Sequence, residues 1–169
     1  IKNYWLNQDP PALSKETIAQ AKYILFDGTY FHKNGCMVVF VDSVKKTTIH
    51  YAYIKKEGYY TVYPLLEYLR NHGLNPLFFT LDGHKQVINV IQTVWPNVTI
   101  QRCLFHIKNQ GLMWIRYRPK TEAAWQLKKM LYGITNISNA TQRDQFIADF
   151  KQWNLRYKDF IATLPKDSI

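Results

Sequence analysis

The order in which strand-like and helix-like runs follow one another constrains this chain more than any other feature. Residues 22–31, 36–44 and 47–55 read as three successive strands, rich in β-branched and aromatic side chains. His32-Lys33-Asn34-Gly35 and Val44-Lys45-Lys46 read as the hairpin connections between them. In the third run Thr48, His50, Ala52 and Ile54 alternate with Ile49, Tyr51 and Tyr53, the period of a half-buried strand. A helix over 61–72 comes next, with Val62, Leu65, Leu66 and Leu69 at helical spacing and Gly73 as its stop. Then follow a strand at 77–81 and a helix over 84–94 that carries Val87, Ile88, Ile91 and Val94 on one face. A strand at 98–102 and a helix over 104–116 complete the series. Two hairpins followed by right-handed crossovers give an α/β fold, a mixed five-stranded sheet flanked by helices.

The pattern changes past Pro119. Residues 121–134 and 141–164 read as two helices joined by a polar turn at 136–140. The first carries Ala124, Leu127, Leu131 and Ile134 on one face, and the second Phe146, Ile147, Phe150, Trp153, Tyr157 and Phe160. At the other end, residues 1–20 are polar, with Pro10-Pro11 and with Ser14 placed to cap a short helix over 15–20. The expected organisation is a lead-in segment at 1–20, an α/β core at 21–118 and an all-α insertion, itself incomplete, at 119–169.

The element order resembles the ribonuclease H-like fold, in which the first and fourth strands are neighbours. Each of those strands ends in an Asp-Gly step: Tyr23-Ile24-Leu25-Phe26-Asp27-Gly28 and Leu77-Phe78-Phe79-Thr80-Leu81-Asp82-Gly83. A carboxylate set into an apolar strand is costly to desolvate unless a cation sits on it. Neighbouring strands lie about 4.8 Å apart, so Asp27 and Asp82 would share one divalent metal, the core of a metal-dependent phosphoryl-transfer enzyme. Each Asp also has a purely structural reading: Asp27 capping the turn at Gly28, Asp82 as an ordinary turn residue or a cap for the helix at His84.

Charge points to the partner. Lys and Arg number 22 against 12 Asp and Glu, a formal +10 that suits a polyanion, nucleic acid first among them. Arg102, Lys108, Arg116, Arg118 and Lys120 form a basic stretch interleaved with Trp114 and Tyr117, a candidate track along a phosphate backbone. The plainer reading is a solvated helix face, and Lys128-Lys129 read as ordinary surface. Only Cys36 and Cys103 are present, too few for a disulfide framework, which favours a reducing compartment. No apolar run is long enough to cross a bilayer, so no membrane partner is expected.

The ordered set Asp27-Gly28-Thr29-Tyr30, Thr80-Leu81-Asp82-Gly83-His84, Trp95-Pro96-Asn97 and Cys103-Leu104-Phe105-His106 resembles the transposases of Mutator-like elements and their bacterial insertion-sequence relatives. The resemblance spans about residues 22–118. It implies a DDE-type core in which three carboxylates hold two Mg²⁺ (or Mn²⁺) ions for in-line attack on a DNA phosphodiester. Asp27 and Asp82 match the first two acids, and the third, usually a Glu beyond a helical insertion, is expected past Ile169. The fragment then looks incomplete as a catalyst.

The resemblance also implies that Cys103 and His106 lie near the site as auxiliaries, against the plainer reading of a core thiol and a helix-capping imidazole. Joined with His32 and Cys36 they make a paper zinc set, but the first and fifth strands are not expected to be neighbours. Glu57, in Lys55-Lys56-Glu57-Gly58-Tyr59, reads as an exposed turn residue bordering the site at most. Implied partners are DNA, as transposon ends and target, and further copies of the chain in a dimer or larger assembly. The implied location is the cytoplasm or nucleoid of a bacterium, or a eukaryotic nucleus. Two rivals stand beside this reading: a nuclease of the same fold, and a domesticated, non-catalytic DNA-binding or interaction domain.

Overall fold

The computed structural model describes residues 14–164. Residues 1–13 of the expected lead-in and 165–169 of the helical segment lie outside the described residues. The chain divides into two compact units, one ending at Cys103 and the other beginning at Leu104.

The first unit opens with α1 (Lys15–Gln20), started as expected by Ser14, whose hydroxyl accepts a hydrogen bond from the Thr17 amide at 3.2 Å. The sheet strands are β1 (Tyr23–Tyr30), β2 (Cys36–Asp42), β3 (Thr47–Ile54), β4 (Phe78–Leu81) and β5 (Thr99–Arg102). Two helices interrupt them, α2 (Tyr59–Asn71) before β4 and α3 (Lys85–Val94) before β5. Each element lies within two residues of its expected bounds, the scatter normal at fraying ends. The strand order is β3-β2-β1-β4-β5, with β1, β2 and β3 antiparallel and β1, β4 and β5 parallel. This is the mixed sheet of a ribonuclease H-like fold. In particular, β1 lies between β2 and β4, so the first and fourth strands are neighbours.

Strand alternation decides which residues form the core. Ile24, Phe26, Val38, Phe40, Phe79 and Leu81 are all buried on one face. Val62, Leu66 and Leu69 of α2 and Val87, Val90 and Ile91 of α3 are fully buried in the same cluster. Burying a side chain of this size stabilises the fold by about 1.5–3 kcal/mol relative to exposure. Trp95, at the end of α3, packs its ring 5.6 Å from Phe79 and donates its indole N–H to the Leu74 carbonyl. Asp42 is buried where β2 ends, and its Oδ1 accepts from the Val44 and Lys45 amides, which fixes the hairpin into β3.

One expectation fails in β3. Strict alternation puts Ile49 on the side of Tyr51 and Tyr53, but the register shifts between Phe40 and Val41, whose partners are His50 and Thr48. Ile49 is the extra residue of this bulge and joins the core at 3% exposure.

The second unit contains α4 (Leu104–Ile115), α5 (Glu122–Gly133), a 3₁₀ turn at Ile134–Asn136 and α6 (Ala140–Ala162). Gly111 lets α4 and α5 approach, since a Cβ there would meet the Leu131 methyls. Trp153 of α6 donates its indole N–H to the Ala123 carbonyl of α5 at 2.9 Å. Lys128 corrects the surface reading. It is buried, its ammonium donates to the Tyr117 carbonyl at 2.5 Å, and it lies 5.0 and 5.3 Å from the ring centres of Tyr117 and Trp125. Two aromatic faces and one carbonyl replace the water it gives up. Glu122, Asp144, Asp149 and Asp159 are exposed, as expected of solvated faces. No described helix is long and apolar enough to cross a membrane.

Candidate active site

Parallel pairing of β1 with β4 sets the geometry of the site. Tyr23 stands opposite Phe78, Ile24 opposite Phe79 and Leu25 opposite Thr80. Two residues further along each chain come Asp27, still within β1, and Asp82, the first residue past β4. They therefore occupy equivalent positions on adjacent strands. Strand alternation turns both away from the core face that Phe26 and Leu81 occupy.

Asp82 is held by the loop it begins. Its Oδ1 accepts from the His84 amide at 2.9 Å, the contact of an ordinary turn residue; it does not cap α3, whose N-cap is His84 without a side-chain cap bond. That bond uses one oxygen, and among the described residues Oδ2 carries no hydrogen bond, so the turn role does not exclude a ligand role. Gly83 sits at φ +98°, a left-handed conformation that glycine adopts without strain. The Arg102 guanidinium lies against Gly83, where a Cβ would collide with it, and its Nη2 donates to the Asp82 carbonyl at 3.2 Å. Arg102 is exposed, and its remaining N–H groups are donors for an anion.

The residue that sequence reasoning set aside is Glu57. The turn joining β3 to α2 carries it to the end of β1, where it is 8% exposed instead of solvated. Its amide donates to the Tyr30 hydroxyl at 3.0 Å, and its Oε1 accepts a weak bond from the Cys36 thiol at 3.7 Å. A Cβ on Gly28 would collide with that oxygen, so the glycine beside Asp27 is what leaves room for the carboxylate. Burial first, and then the charges of Asp82 and Asp27, push the Glu57 carboxyl above its ordinary range, with His84 and the thiol pulling the other way. Burial and Glu57 together push the Cys36 thiol up to about 12, which keeps it protonated and unreactive. The Nδ1 atom of His84 is buried without a hydrogen-bond partner among the described residues. Neither a turn Glu nor a strand Gly signals this contact in sequence, because it forms only when the turn folds over β1 and β2.

The other predicted residues divide between the units. Arg102 and Cys103 belong to the first, where the Cys103 amide extends the sheet by donating to the Leu81 carbonyl at 2.7 Å. His106 and Lys108 lie on α4 in the second unit, and Arg116, Arg118 and Lys120 follow in the exposed turn before α5, with Trp114 and Tyr117 also exposed. Both cysteines are free, and among the described residues no group of three or more His, Cys, Asp and Glu converges to hold a metal, so the paper zinc set does not assemble. Asp27 and Asp82 are two carboxylates that could hold a divalent ion, short of a closed ligand set among the described residues. Their all-oxygen chemistry suits a hard cation such as Mg²⁺ or Mn²⁺.

A family model described as the Mutator family of transposases matches residues 41–167. No curated protein matches the chain. Among solved structures, the HTLV-2 integrase catalytic core domain in complex with magnesium, in its dimeric form, is similar at 16% identity and a TM-score of 0.38. That similarity covers 70% of this chain and 88% of the integrase domain.

Proposed function

This chain belongs to the Mutator family of transposases, and on that premise we propose that it is the core, in whole or in part, of an enzyme that cleaves DNA strands and joins their 3′ ends to new DNA. The observation that carries the reading is the equivalent placement of Asp27 and Asp82 on adjacent parallel strands. Asp27 and Asp82 are the residues that would hold a divalent ion, Mg²⁺ or Mn²⁺, with two ions in the complete site. When bound, such an ion supplies Lewis acidity at the scissile phosphate and favours ionisation of the attacking water or 3′-hydroxyl.

The chain's own groups do the rest. The Asp27 backbone is held by pairing with Val39 of β2, and the Asp82 carboxylate by the His84 amide, so Asp82 is oriented before substrate arrives. Arg102, anchored through Nη2 on the Asp82 carbonyl, offers its remaining donors to a DNA phosphate beside the pair. In the second unit, Lys108, Arg116, Arg118 and Lys120 are by themselves candidate contacts to a DNA backbone. For Cys103, and for His106 in the second unit, an auxiliary role rests on the motif alone.

The test uses the complete transposase. Asp27→Asn or Asp82→Asn lowers strand cleavage by about a hundredfold or more while DNA binding persists. Wild-type cleavage by both variants contradicts the mechanism. Cleavage without joining of 3′ ends indicates a nuclease of this fold instead.

A further inference from the structure

We infer that the tyrosine rings at the start of α2, with the two lysines before them, form a platform for an unpaired DNA strand. This deepens the reading above and rests on its DNA substrate. Tyr60 is 89% exposed, more than any other large apolar side chain among the described residues. It does not stand alone. The Tyr59 ring lies edge-on to it at 5.4 Å and stacks on Tyr63 at 5.8 Å, within 12° of parallel. A single exposed ring is ordinary, but a contiguous set marks an interaction surface.

Charge selects the occupant. Lys55 and Lys56 are exposed in the turn that leads into α2, and among the described residues neither pairs with an acid. Glu57, the one acid of that turn, is buried, with its Oε1 on the Cys36 thiol and over Gly28. The outer surface of the turn is therefore cationic. The Thr61 hydroxyl donates to the Lys56 carbonyl at 2.6 Å, and the Glu57 amide donates to the Tyr30 hydroxyl at 3.0 Å. These bonds hold the turn in shape before a ligand arrives, which lowers the cost of binding. Lysines bind a phosphate backbone, and flat aromatic faces stack on bases of any sequence. A ring reaches the face of a base only where that base has left the duplex stack, so the partner is a single strand. The same contacts set its place. Tyr30 belongs to β1, and Gly28, under Glu57, follows Asp27 in that strand. The platform thus borders the strand that bears Asp27, where a cut DNA strand would end.

The test is fluorescence anisotropy of the chain with labelled oligo-dT and with a labelled duplex of the same length. Wild type is compared with Tyr60→Ala, Tyr60→Phe and a double variant, Lys55→Gln with Lys56→Gln, and each melting temperature is measured alongside. The expected result is oligo-dT binding by wild type, weakened about fivefold or more in Tyr60→Ala and restored in Tyr60→Phe. Duplex affinity and melting temperature stay at wild-type values in both Tyr60 variants. The double lysine variant lowers the slope of log affinity for oligo-dT against log salt by about 0.7 per contact. Oligo-dT binding by Tyr60→Ala equal to that of wild type overturns the inference. So does an equal loss for oligo-dT and duplex, because the ring then distinguishes no unpaired base. If Tyr60→Ala binds DNA normally but no longer self-associates in sedimentation, the rings are a contact between copies of the chain and the inference fails. Duplex binding by wild type without oligo-dT binding overturns it and leaves the DNA reading in place. Binding of neither removes that reading and the inference together.

Discussion

Asp27 and Asp82 stand at equivalent positions on adjacent parallel strands, 55 residues apart in the chain, as are Leu25 and its partner Thr80. The relationship follows from topology. Two hairpins place β1 in the middle of the sheet, and the crossover through α2 returns the chain to lie parallel beside it. Any insertion or bulge between Tyr23 and Asp27, or between Phe78 and Asp82, would break the alignment. The observed bulge is confined to β3, away from both strands.

The basic turn before α5 gives a prediction about salt. If Arg116, Arg118 and Lys120 each neutralise a DNA phosphate, replacing all three by Gln lowers the slope of log affinity against log salt by about 0.9 per contact. Fluorescence anisotropy across a KCl series measures it. An unchanged slope means that these residues form a solvated face.

Gly83 carries both a backbone and a packing constraint. At φ +98° and in contact with the Arg102 guanidinium, Gly83→Ala should destabilise the fold by about 1–2 kcal/mol. It should also weaken DNA binding by displacing Arg102. Urea denaturation and anisotropy read the two effects separately, and a neutral result in both contradicts the geometry.

His50 makes stability depend on pH. Burial, with a smaller push from His72, holds its imidazole below the ordinary 6.5, and its ring stacks on Tyr68 at 5.0 Å. The folded chain therefore binds fewer protons than the unfolded one just below pH 6.5. This contribution is fully present above 6.5 and is lost as the pH falls through the depressed value. His50→Phe keeps a ring and removes the titration, so its urea midpoint should fall less than that of wild type between pH 7.5 and 5.5.

Lys128 is a structural cation. Lys128→Met preserves most of the packing but leaves the Tyr117 carbonyl without its ammonium partner, a loss of about 1–3 kcal/mol. Chemical denaturation measures it. A variant as stable as wild type would return Lys128 to the surface role that its sequence suggests.

Much of the fold was legible because period and element order are local properties. The apolar spacing of α2 and α3, the Gly73 stop and the hairpin turns each follow from a few neighbouring residues, and topology rules then restrict the strand order. Asp27 and Asp82 stood out for the same reason, as carboxylates at the ends of apolar runs. What escaped depended on distant residues. Glu57 reads as exposed because its turn is polar, and its burial requires Gly28, 29 residues earlier, to lack a side chain. Lys128 reads as surface until Tyr117 and Trp125 close around it. Ile49 alternates with its neighbours in sequence, and only pairing with β2 shows the bulge that turns it inward.

The most direct test of the central claim is anomalous diffraction from crystals of the chain soaked in Mn²⁺. The expected result is a peak between the Asp27 and Asp82 carboxylates, within oxygen-ligand distance of both. Carboxylates lying far apart, with no anomalous density between them, would contradict it.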